Sequence, residues 1–387
     1  MAFSDKELMT TDYMIQCSRR HCNNLPPGIV TGFEWKDYCP KSFRLIQELE
    51  NIDNDDYMML VCSDETIKQV TSTMRPGNMF LFSNDSRFAI KTLRKSELKV
   101  LLEMLPSYYS HIKRFRSTIL NKLYGAHVVK PAGGTKVYFV VVANIFKSDL
   151  LMHRCYDLKG SLQGRKVEKM RYREKTLHKE SDLDFLFYLE PLVRQRLLKQ
   201  IKYDCAFLEA AGIMNYSLML GLHVKGSHQA MTVSGFEGFK KQLELHFFSV
   251  DPLNSTSKYS TTNIMDIISN TSFSENEASE VSFGDQWLQN NSCKFGEELD
   301  ARGVRISKNG TGTLSCQNFT VIECYDVLLC FGIVDFFQNY NVIKRIEHAY
   351  KSLQFDRKMI AAVNPKIYSS RFQEFISDIF KADEPLN

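Results

Sequence analysis

MNYSLMLGLH, at residues 214–223, is the stretch on which the predicted fold depends. Successive residues of a strand point to opposite sides, so alternation places Leu218, Leu220 and Leu222 on one face of a short β-strand. The other face carries Ser217, Met219, Gly221 and His223.

A helix is predicted directly before this strand, because an apolar stripe with helical spacing ends at Gly212. The stripe consists of Leu197, Leu198, Ile201, Cys205 and Leu208. Asn215 stands at the corner between helix and strand. A polar residue there either holds a functional group at the edge of a cleft or caps a turn. This stretch alone favours the turn.

Other blocks surround the strand in a fixed order. YDLKGS (156–161) precedes it, with Gly164 and Arg165 close behind, and GIVD (332–335) follows it. Further blocks are EWKDYCP (34–40), AIKTLRKSELKVLLEMLPSYYSHI (89–112), EHAYKSLQFD (347–356) and NPKIYSSRF (364–372). From about Gly32 to Phe375 the chain resembles the phosphatidylinositol phosphate kinase family, in particular the short plant-type phosphatidylinositol 4-phosphate 5-kinases. The resemblance implies an α+β fold, a bilobal kinase-like lipid kinase with antiparallel sheets and flanking helices.

The resemblance implies nucleotide and metal roles for several residues. It assigns Lys91, on a strand predicted at 87–91, to the phosphates of ATP, as for the strand lysine of protein kinases. It makes Asp335 the carboxylate that holds Mg²⁺. The strand predicted at 136–145 leads into the hinge beneath the adenine, which makes Asn144 a candidate for cofactor binding.

Asp157 and Lys159 share a glycine-containing turn with Arg165. A transferred phosphoryl group is anionic, and fixed positive charge stabilises its equatorial oxygens. Lys159 is the candidate for that charge, and Asp157 is a further catalytic candidate. The alternative is a salt-bridged surface turn, which the DLKGS match disfavours.

A helix is expected after Lys91, with Ser96 as its cap and Pro106 at its end. Either Glu97 or Glu103 could pair with Lys91 from that helix, although each could equally be an ordinary surface residue.

Two departures from the family pattern bear on turnover. The Gly-rich turn before the ATP-binding strand is replaced by the shorter RPGNMFLF (75–82), in which Gly77 and Asn78 can still form a tight turn around phosphate. Asn215 stands where the family has its catalytic-loop Asp. An amide cannot accept a proton at neutral pH, although its oxygen can orient a hydroxyl or bind magnesium. Losing a general base costs about 10²–10⁴ in rate, so a slow kinase is one reading.

The resemblance places the activation loop, which contacts lipid, between Lys351 and Phe372. Lys366 and Arg371 suit a mobile basic loop facing headgroups, and a plain surface connection is the alternative. Lys344, Arg345 and Lys351 lie on the polar side of a helix predicted from Ile343 to Leu353. A closing helix carries Phe372, Phe375, Ile376, Ile379 and Phe380 on one stripe.

Composition places broad limits on the protein. With 387 residues, 44% of them hydrophobic, the chain can bury the core of one large domain or two lobes. A net charge of +4 gives no reason to expect nucleic acid as a partner. Basic segments at 91–99, 111–122, 165–175 and 194–202 are either solvated helix faces or, if they share a face, a surface for an anionic membrane.

The sequence predicts a cytoplasmic protein on the cytosolic face of a membrane, the plasma membrane in particular. No apolar run approaches the roughly 18 residues that cross a bilayer, and the first residues lack a signal pattern. The ten cysteines form no CxxC pairs, which indicates reduced thiols.

Four segments are expected along the chain. Residues 1–30 are predicted to be a tail, and 31–224 the first part of the lipid kinase domain. Residues 225–318 are rich in Ser, Thr and Asn and are predicted to be a largely disordered insertion, with one possible strand at 243–250. Residues 319–383 complete the domain.

The leading hypothesis is a lipid kinase that uses ATP and Mg²⁺ to phosphorylate the 5-hydroxyl of phosphatidylinositol 4-phosphate, giving phosphatidylinositol 4,5-bisphosphate, with reduced activity. The alternative is a phosphoinositide-binding scaffold without turnover. A protein kinase is disfavoured because HRD, DFG and GxGxxG are absent. The kinase hypothesis requires Lys91, Lys159 and Asp335 to converge on one cleft.

Overall fold

Two seven-stranded sheets organise the chain, one built mainly before residue 145 and the other after it. The structure, a computed structural model, describes residues 13–17, 33–62, 67–70, 80–83, 86–131, 134–146, 150–160, 177–228, 298–308, 319–341 and 363–383. Every neighbouring pair in the first sheet is antiparallel, in the order β1-β2-β6-β7-β5-β4-β3. Its strands are β1 Tyr13–Cys17, β2 Phe33–Tyr38, β3 Ile67–Val70, β4 Phe80–Ser83, β5 Phe88–Leu93, β6 Leu123–Pro131 and β7 Val137–Ala143.

The second sheet has the order β14-β10-β12-β13-β11-β8-β9, with β8–β9 and β10–β14 parallel and the other pairs antiparallel. Its strands are β8 Arg154–Leu158, β9 Leu177–His178, β10 Phe185–Leu189, β11 Ser217–His228, β12 Leu299–Lys308, β13 Phe319–Val334 and β14 Phe380–Ala382. The strand predicted from the opening stretch is β11, and its Leu218, Leu220 and Leu222 are fully buried. The predicted α+β class with antiparallel sheets is confirmed.

Five α-helices flank the sheets in the described ranges: α1 Pro40–Leu49, α2 Asn54–Cys62, α3 Lys95–Arg114, α4 Pro191–Ala210 and α5 Pro365–Ile379. The helix predicted before β11 is α4, whose Leu197, Ile201, Cys205 and Leu208 are buried. Gly212 follows it at φ +69°, the left-handed conformation that favours glycine after a helix. No described helix has the length and apolarity needed to span a bilayer.

The predicted limits of α3 are wrong at both ends. Arg94 is the N-cap, and its backbone N–H donates to the Glu97 carboxylate at 2.8 Å, so Ser96 lies inside the helix. Pro106 also lies inside it, although an interior proline costs about 3 kcal/mol. Tyr108 and Ile112 on the following turns are fully buried. Their packing outweighs the lost hydrogen bond.

The predicted segment limits also need correction. Tyr13–Cys17, expected in a tail, pairs with β2 as an edge strand. Leu299–Lys308, expected in a disordered insertion, is β12 and fills the space between β10 and β13. Its buried apolar residues, Leu299, Val304 and Ile306, are separated by polar or small residues and give no sustained strand pattern. The possible strand at 243–250 and the helix predicted at 343–353 lie outside the described residues.

Buried polar contacts fix the two sheets relative to each other. Asp204 of α4 is fully buried and accepts hydrogen bonds from Thr118 Oγ1 at 2.7 Å and the Ile119 backbone N–H at 3.0 Å, while His111 of α3 contacts the same carboxylate at 2.7 Å. The neighbouring residue Leu120 forms a parallel bridge with Ile333 of β13. The end of β13 is therefore held against the first half of the chain.

Candidate active site

Lys91 and Asp335 form an ion pair across the two sheets, although 244 positions separate them. Lys91 lies on β5, and only 7% of the residue is exposed. Asp335 comes directly after β13 at φ +63°, which turns its carboxylate out of the strand. The Lys91 ammonium also lies 5.5 Å from the ring centroid of Phe337. This pair marks the cleft between the sheets.

The Asp335 carboxylate is ionised and open to solvent. Desolvation raises its pKa, but the positive charges of Lys91 and Lys159 outweigh that effect and hold the pKa below its ordinary value. Its side chain keeps 46% of its surface exposed. A carboxylate that is both charged and accessible can bind a further cation.

Lys159 reaches the same cleft from the turn after β8. Its ammonium donates a hydrogen bond to the Asn215 backbone oxygen, and its backbone N–H donates to the Glu180 carboxylate. Gly160 follows at φ +66°, and a Cβ built there would lie 3.0 Å from Phe375 Cβ of α5. The turn is thus packed on α5 and anchored by a buried carboxylate.

Asn215 lies between α4 and β11 at φ +64°. Its side-chain Nδ2 donates to Gln338 Oε1 at 2.7 Å, and the preceding Met214 N–H donates to the Gln338 backbone oxygen at 2.9 Å. Ile213 and Asn339 form an antiparallel bridge beside them. The corner that carries Asn215 is therefore bound to the segment that carries Asp335.

The predicted convergence is observed. Lys91, Lys159, Asp335 and Asn215 come from four separate elements and meet at one cleft. Two ammonium groups and one exposed carboxylate are arranged around it. Such a set suits a polyphosphate and a divalent cation, since the ammonium groups offset phosphate charge and the carboxylate binds metal.

Asp157 and Asn144 have other surroundings than the Lys91, Lys159 and Asp335 cluster. Asp157 lies on β8 opposite Met219 of β11, half-buried, on the strand face away from the buried Tyr156 and Leu158. Asn144 uses its side chain in a turn: Nδ2 donates to the Ser86 carbonyl at 2.8 Å, and Oδ1 accepts from the Phe146 N–H at 3.1 Å. Its predicted role at the adenine stays a prediction.

The connection between the sheets packs directly on the second sheet. A Cβ built on Gly221 of β11 would lie 2.6 Å from Phe146 Cε1, and one on Gly332 of β13 would lie 3.0 Å from Ile145 Cδ1. A Cβ at Gly221 would force Phe146 to move, so glycine there allows the predicted hinge to pack on the strands that carry the site.

The predicted lipid-binding residues are only partly described. Lys366 and Arg371 lie on α5 and not in a mobile loop, so that expectation is wrong for them. Pro365 takes the first helical position, and the Asn364 side chain accepts from the Lys366 N–H at 2.9 Å, a strong start signal overlooked in the sequence. Lys366 is exposed, whereas burial lowers the pKa of Arg371, which stacks on Tyr368 at 5.3 Å. The remaining candidates, Gly77, Asn78, Arg165, Lys344, Arg345 and Lys351, lie outside the described residues.

Sequence reasoning missed Glu180 and Gln338. Glu180 lies in a short 3-10 helix and gives no periodic or motif signal. Gln338 follows Asp335 by three residues, and that proximity was the only available signal. The two proposed partners of Lys91 have other contacts: Glu97 pairs with Arg94 and Glu103 with Lys99.

Known proteins similar to this chain are phosphatidylinositol 4-phosphate 5-kinases. A family model described as Phosphatidylinositol-4-phosphate 5-Kinase matches residues 61–379. The chain is 47% identical to phosphatidylinositol 4-phosphate 5-kinase 10 of Arabidopsis thaliana, with 96% of this chain and 95% of that protein aligned. It is 43% identical to putative phosphatidylinositol 4-phosphate 5-kinase 11 of the same plant, with 96% of each covered. Phosphatidylinositol 4-phosphate 5-kinase 9 is 39% identical, and the match spans 92% of this chain and 45% of that protein.

Proposed function

Because the chain belongs to the phosphatidylinositol-4-phosphate 5-kinase family, we propose that it transfers the γ-phosphoryl group of ATP to the 5-hydroxyl of phosphatidylinositol 4-phosphate. The convergence of Lys91, Lys159 and Asp335 on one cleft carries this proposal. In the reaction the hydroxyl oxygen bonds to the γ-phosphorus, the bond to the bridging oxygen breaks, and ADP leaves.

Lys91 and Lys159 supply fixed positive charge to the phosphates. Their ammonium groups flank Asp335, so they are held in place before ATP arrives. Charge that is already positioned stabilises a transition state without reorganisation at the moment of reaction. Lys91 is also largely shielded from water, which strengthens its interaction with an anion.

Asp335 would hold Mg²⁺, and Asn215 is the second oxygen donor at the cleft. The described residues contain no group of three or more His, Cys, Asp or Glu side chains suited to a metal. Mg²⁺ in phosphoryl-transfer sites is commonly bound by one or two carboxylates together with substrate phosphates, so this sparse donor set fits it. When bound, Mg²⁺ neutralises charge on the phosphate oxygens.

Asn215 makes the proposed kinase slow. An amide cannot take the hydroxyl proton, which must leave to solvent or to the phosphoryl group. Phosphoryl transfer depends mainly on positioning and charge, so turnover continues at a reduced rate. The same residue favours the second candidate function, a phosphoinositide-binding scaffold without turnover.

Transfer of labelled γ-phosphate to vesicles containing phosphatidylinositol 4-phosphate separates the two. We expect slow product formation that Lys91→Ala abolishes. Lys130→Ala, a half-exposed lysine paired with Glu34 in the same sheet, serves as the matched control and should retain turnover. Absence of product from both the native chain and Asn215→Asp, with lipid binding intact, would establish the scaffold instead.

We further propose peripheral binding to an anionic membrane through basic surfaces, with Lys366 as a described contributor. Flotation with anionic vesicles should weaken as salt rises, because screening shortens the reach of surface charges. Binding that is insensitive to salt would contradict this mechanism.

A further inference from the structure

Gln338 contacts Asn215 in a way that determines which atom of the amide faces the cleft. Asn215 Nδ2 donates to Gln338 Oε1 at 2.7 Å. The Oδ1 and Nδ2 atoms of an amide diverge from one carbon, so fixing Nδ2 on Gln338 turns Oδ1 away from it. Among the described residues Oδ1 has no hydrogen-bond partner, and the Asn215 side chain is only half-buried. An oxygen acceptor is thus presented at the site.

The charges of the cleft favour this orientation over the flipped one. The Lys159 ammonium donates to the backbone oxygen of the same Asn215, so positive charge lies next to the amide. An amide oxygen is attracted to that charge, whereas an amide nitrogen carries hydrogens and is repelled. On the side of the amide away from Lys159, Gln338 Oε1 accepts the hydrogen bond from Asn215 Nδ2.

Gln338 is itself held rigidly relative to Asp335. Its backbone oxygen accepts from the Met214 N–H at 2.9 Å, and the next residue, Asn339, bridges to Ile213. One short segment therefore carries both the Asp335 carboxylate and the group that orients Asn215. The distance between the two oxygen donors is set by this segment.

From these contacts we propose that Gln338 is a positioning residue, which turns the Asn215 amide so that Oδ1 serves the cleft as an oxygen donor to Mg²⁺. The inference rests on the proposed function for its consequence in catalysis. Its consequence for ATP binding does not require turnover, because a scaffold could also bind ATP.

The test compares Gln338→Leu with Gln338→Glu. Leu removes the acceptor, while a Glu carboxylate only accepts and so enforces the observed orientation. The readout is the ratio of ATP affinities measured calorimetrically with Mg²⁺ and with EDTA, together with kcat and KM for transfer. We expect Gln338→Leu to lower this affinity ratio and kcat by about tenfold, because it removes one hydrogen bond to Asn215. Gln338→Glu keeps an acceptor for Asn215 Nδ2 and should stay within about threefold of the native chain.

A double-mutant cycle with Asn215→Ala separates positioning from general damage. If Gln338 acts through Asn215, Gln338→Leu has no further effect once residue 215 is alanine. The same cycle in melting temperature tests the hydrogen bond without any ligand. Equal losses in both backgrounds, or Gln338→Glu as impaired as Gln338→Leu, would overturn the inference.

Failure of the proposed function has a different signature. A chain that turns over no lipid, yet shows the Gln338 pattern in Mg²⁺-dependent ATP binding, is a scaffold in which the inference holds. A chain that turns over lipid with an unchanged Gln338→Leu variant retains the proposed function and loses the inference. An ATP affinity that does not depend on Mg²⁺ also overturns it.

Discussion

The two sides of the cleft differ in how they depend on the fold and in what their residues can do. Lys91–Asp335 is a charged pair that joins the two sheets, whereas Asn215–Gln338 is an uncharged pair wholly beside the second sheet. The charged pair has the residue types that phosphate and metal binding require. The uncharged pair stands where a proton acceptor is expected and cannot accept a proton. Under the proposed function, the residues for phosphate binding are therefore present, while the residue expected to accept the proton is replaced by an amide.

Substitution in the charged pair should give the largest loss of phosphoryl transfer. Asp335→Asn removes the exposed carboxylate and leaves the Lys91 ammonium without that charge, so we expect transfer to fall by roughly 10³, the upper range for one preorganised electrostatic group. Initial rates on phosphatidylinositol 4-phosphate vesicles measure it. Asp300→Asn, an exposed carboxylate paired with Lys225 on the second sheet, is the matched control and should leave the rate unchanged.

Substitution of Asn215 in the uncharged pair should increase the rate of phosphoryl transfer. Asn215→Asp provides a carboxylate in place of the amide, and we expect transfer to rise by about 10–10², at or below the usual contribution of a general base. Gln338 can rotate its amide to donate to the new carboxylate. Adding Gln338→Glu places two carboxylates together, which should raise the pKa of one and create an acid limb in the pH–rate profile. An unchanged rate in Asn215→Asp would show that the missing base does not limit this protein.

A substitution of Glu180 tests whether the position of Lys159 depends on the hydrogen bond from its backbone N–H to the Glu180 carboxylate. Glu180→Gln weakens the acceptor for the Lys159 backbone N–H, and we expect about a tenfold lower kcat with little change in the KM for ATP. Glu374→Gln, an exposed glutamate on α5, is the control for a neutralised carboxylate in this half of the chain. Equal kcat in both variants would mean that the Lys159 turn is held by Gly160 and α5 alone.

The smallest effect concerns stability and pH. The Asp335 pKa is lower in the folded protein than in the unfolded chain, so its ionised form stabilises the fold above the unfolded value of 3.8. That contribution is lost as pH falls through the lower, folded value. Denaturant unfolding of the native chain and Asp335→Asn should therefore differ by the same amount from neutral pH down to about pH 5, and converge only in stronger acid. Convergence near neutral pH would contradict the lowered pKa.

Where expectation and structure diverge, the cause is packing or local chemistry that a pattern search weighs poorly. The strong local preference of Pro106 predicts a helix end, but α3 continues through it because Tyr108 and Ile112 are buried on the following turns. The positive charge of Lys366 and Arg371 favours a basic loop, but Asn364 and Pro365 begin a helix directly before them. The sequence does not predict β12, because its buried apolar residues Leu299, Val304 and Ile306 are separated by polar or small residues.

Sequence alone determined a short strand within residues 214–223, the helix before it, the family and the identity of the charged residues, because alternation, helical spacing and ordered blocks are local properties of the chain. Only the tertiary structure decided which of these residues meet. Lys91 and Asp335 become partners because Leu120 and Ile333 bridge the two halves, and Gln338 reaches Asn215 because Ile213 pairs with Asn339. Such contacts depend on distance in space, and no local pattern in the sequence encodes that distance.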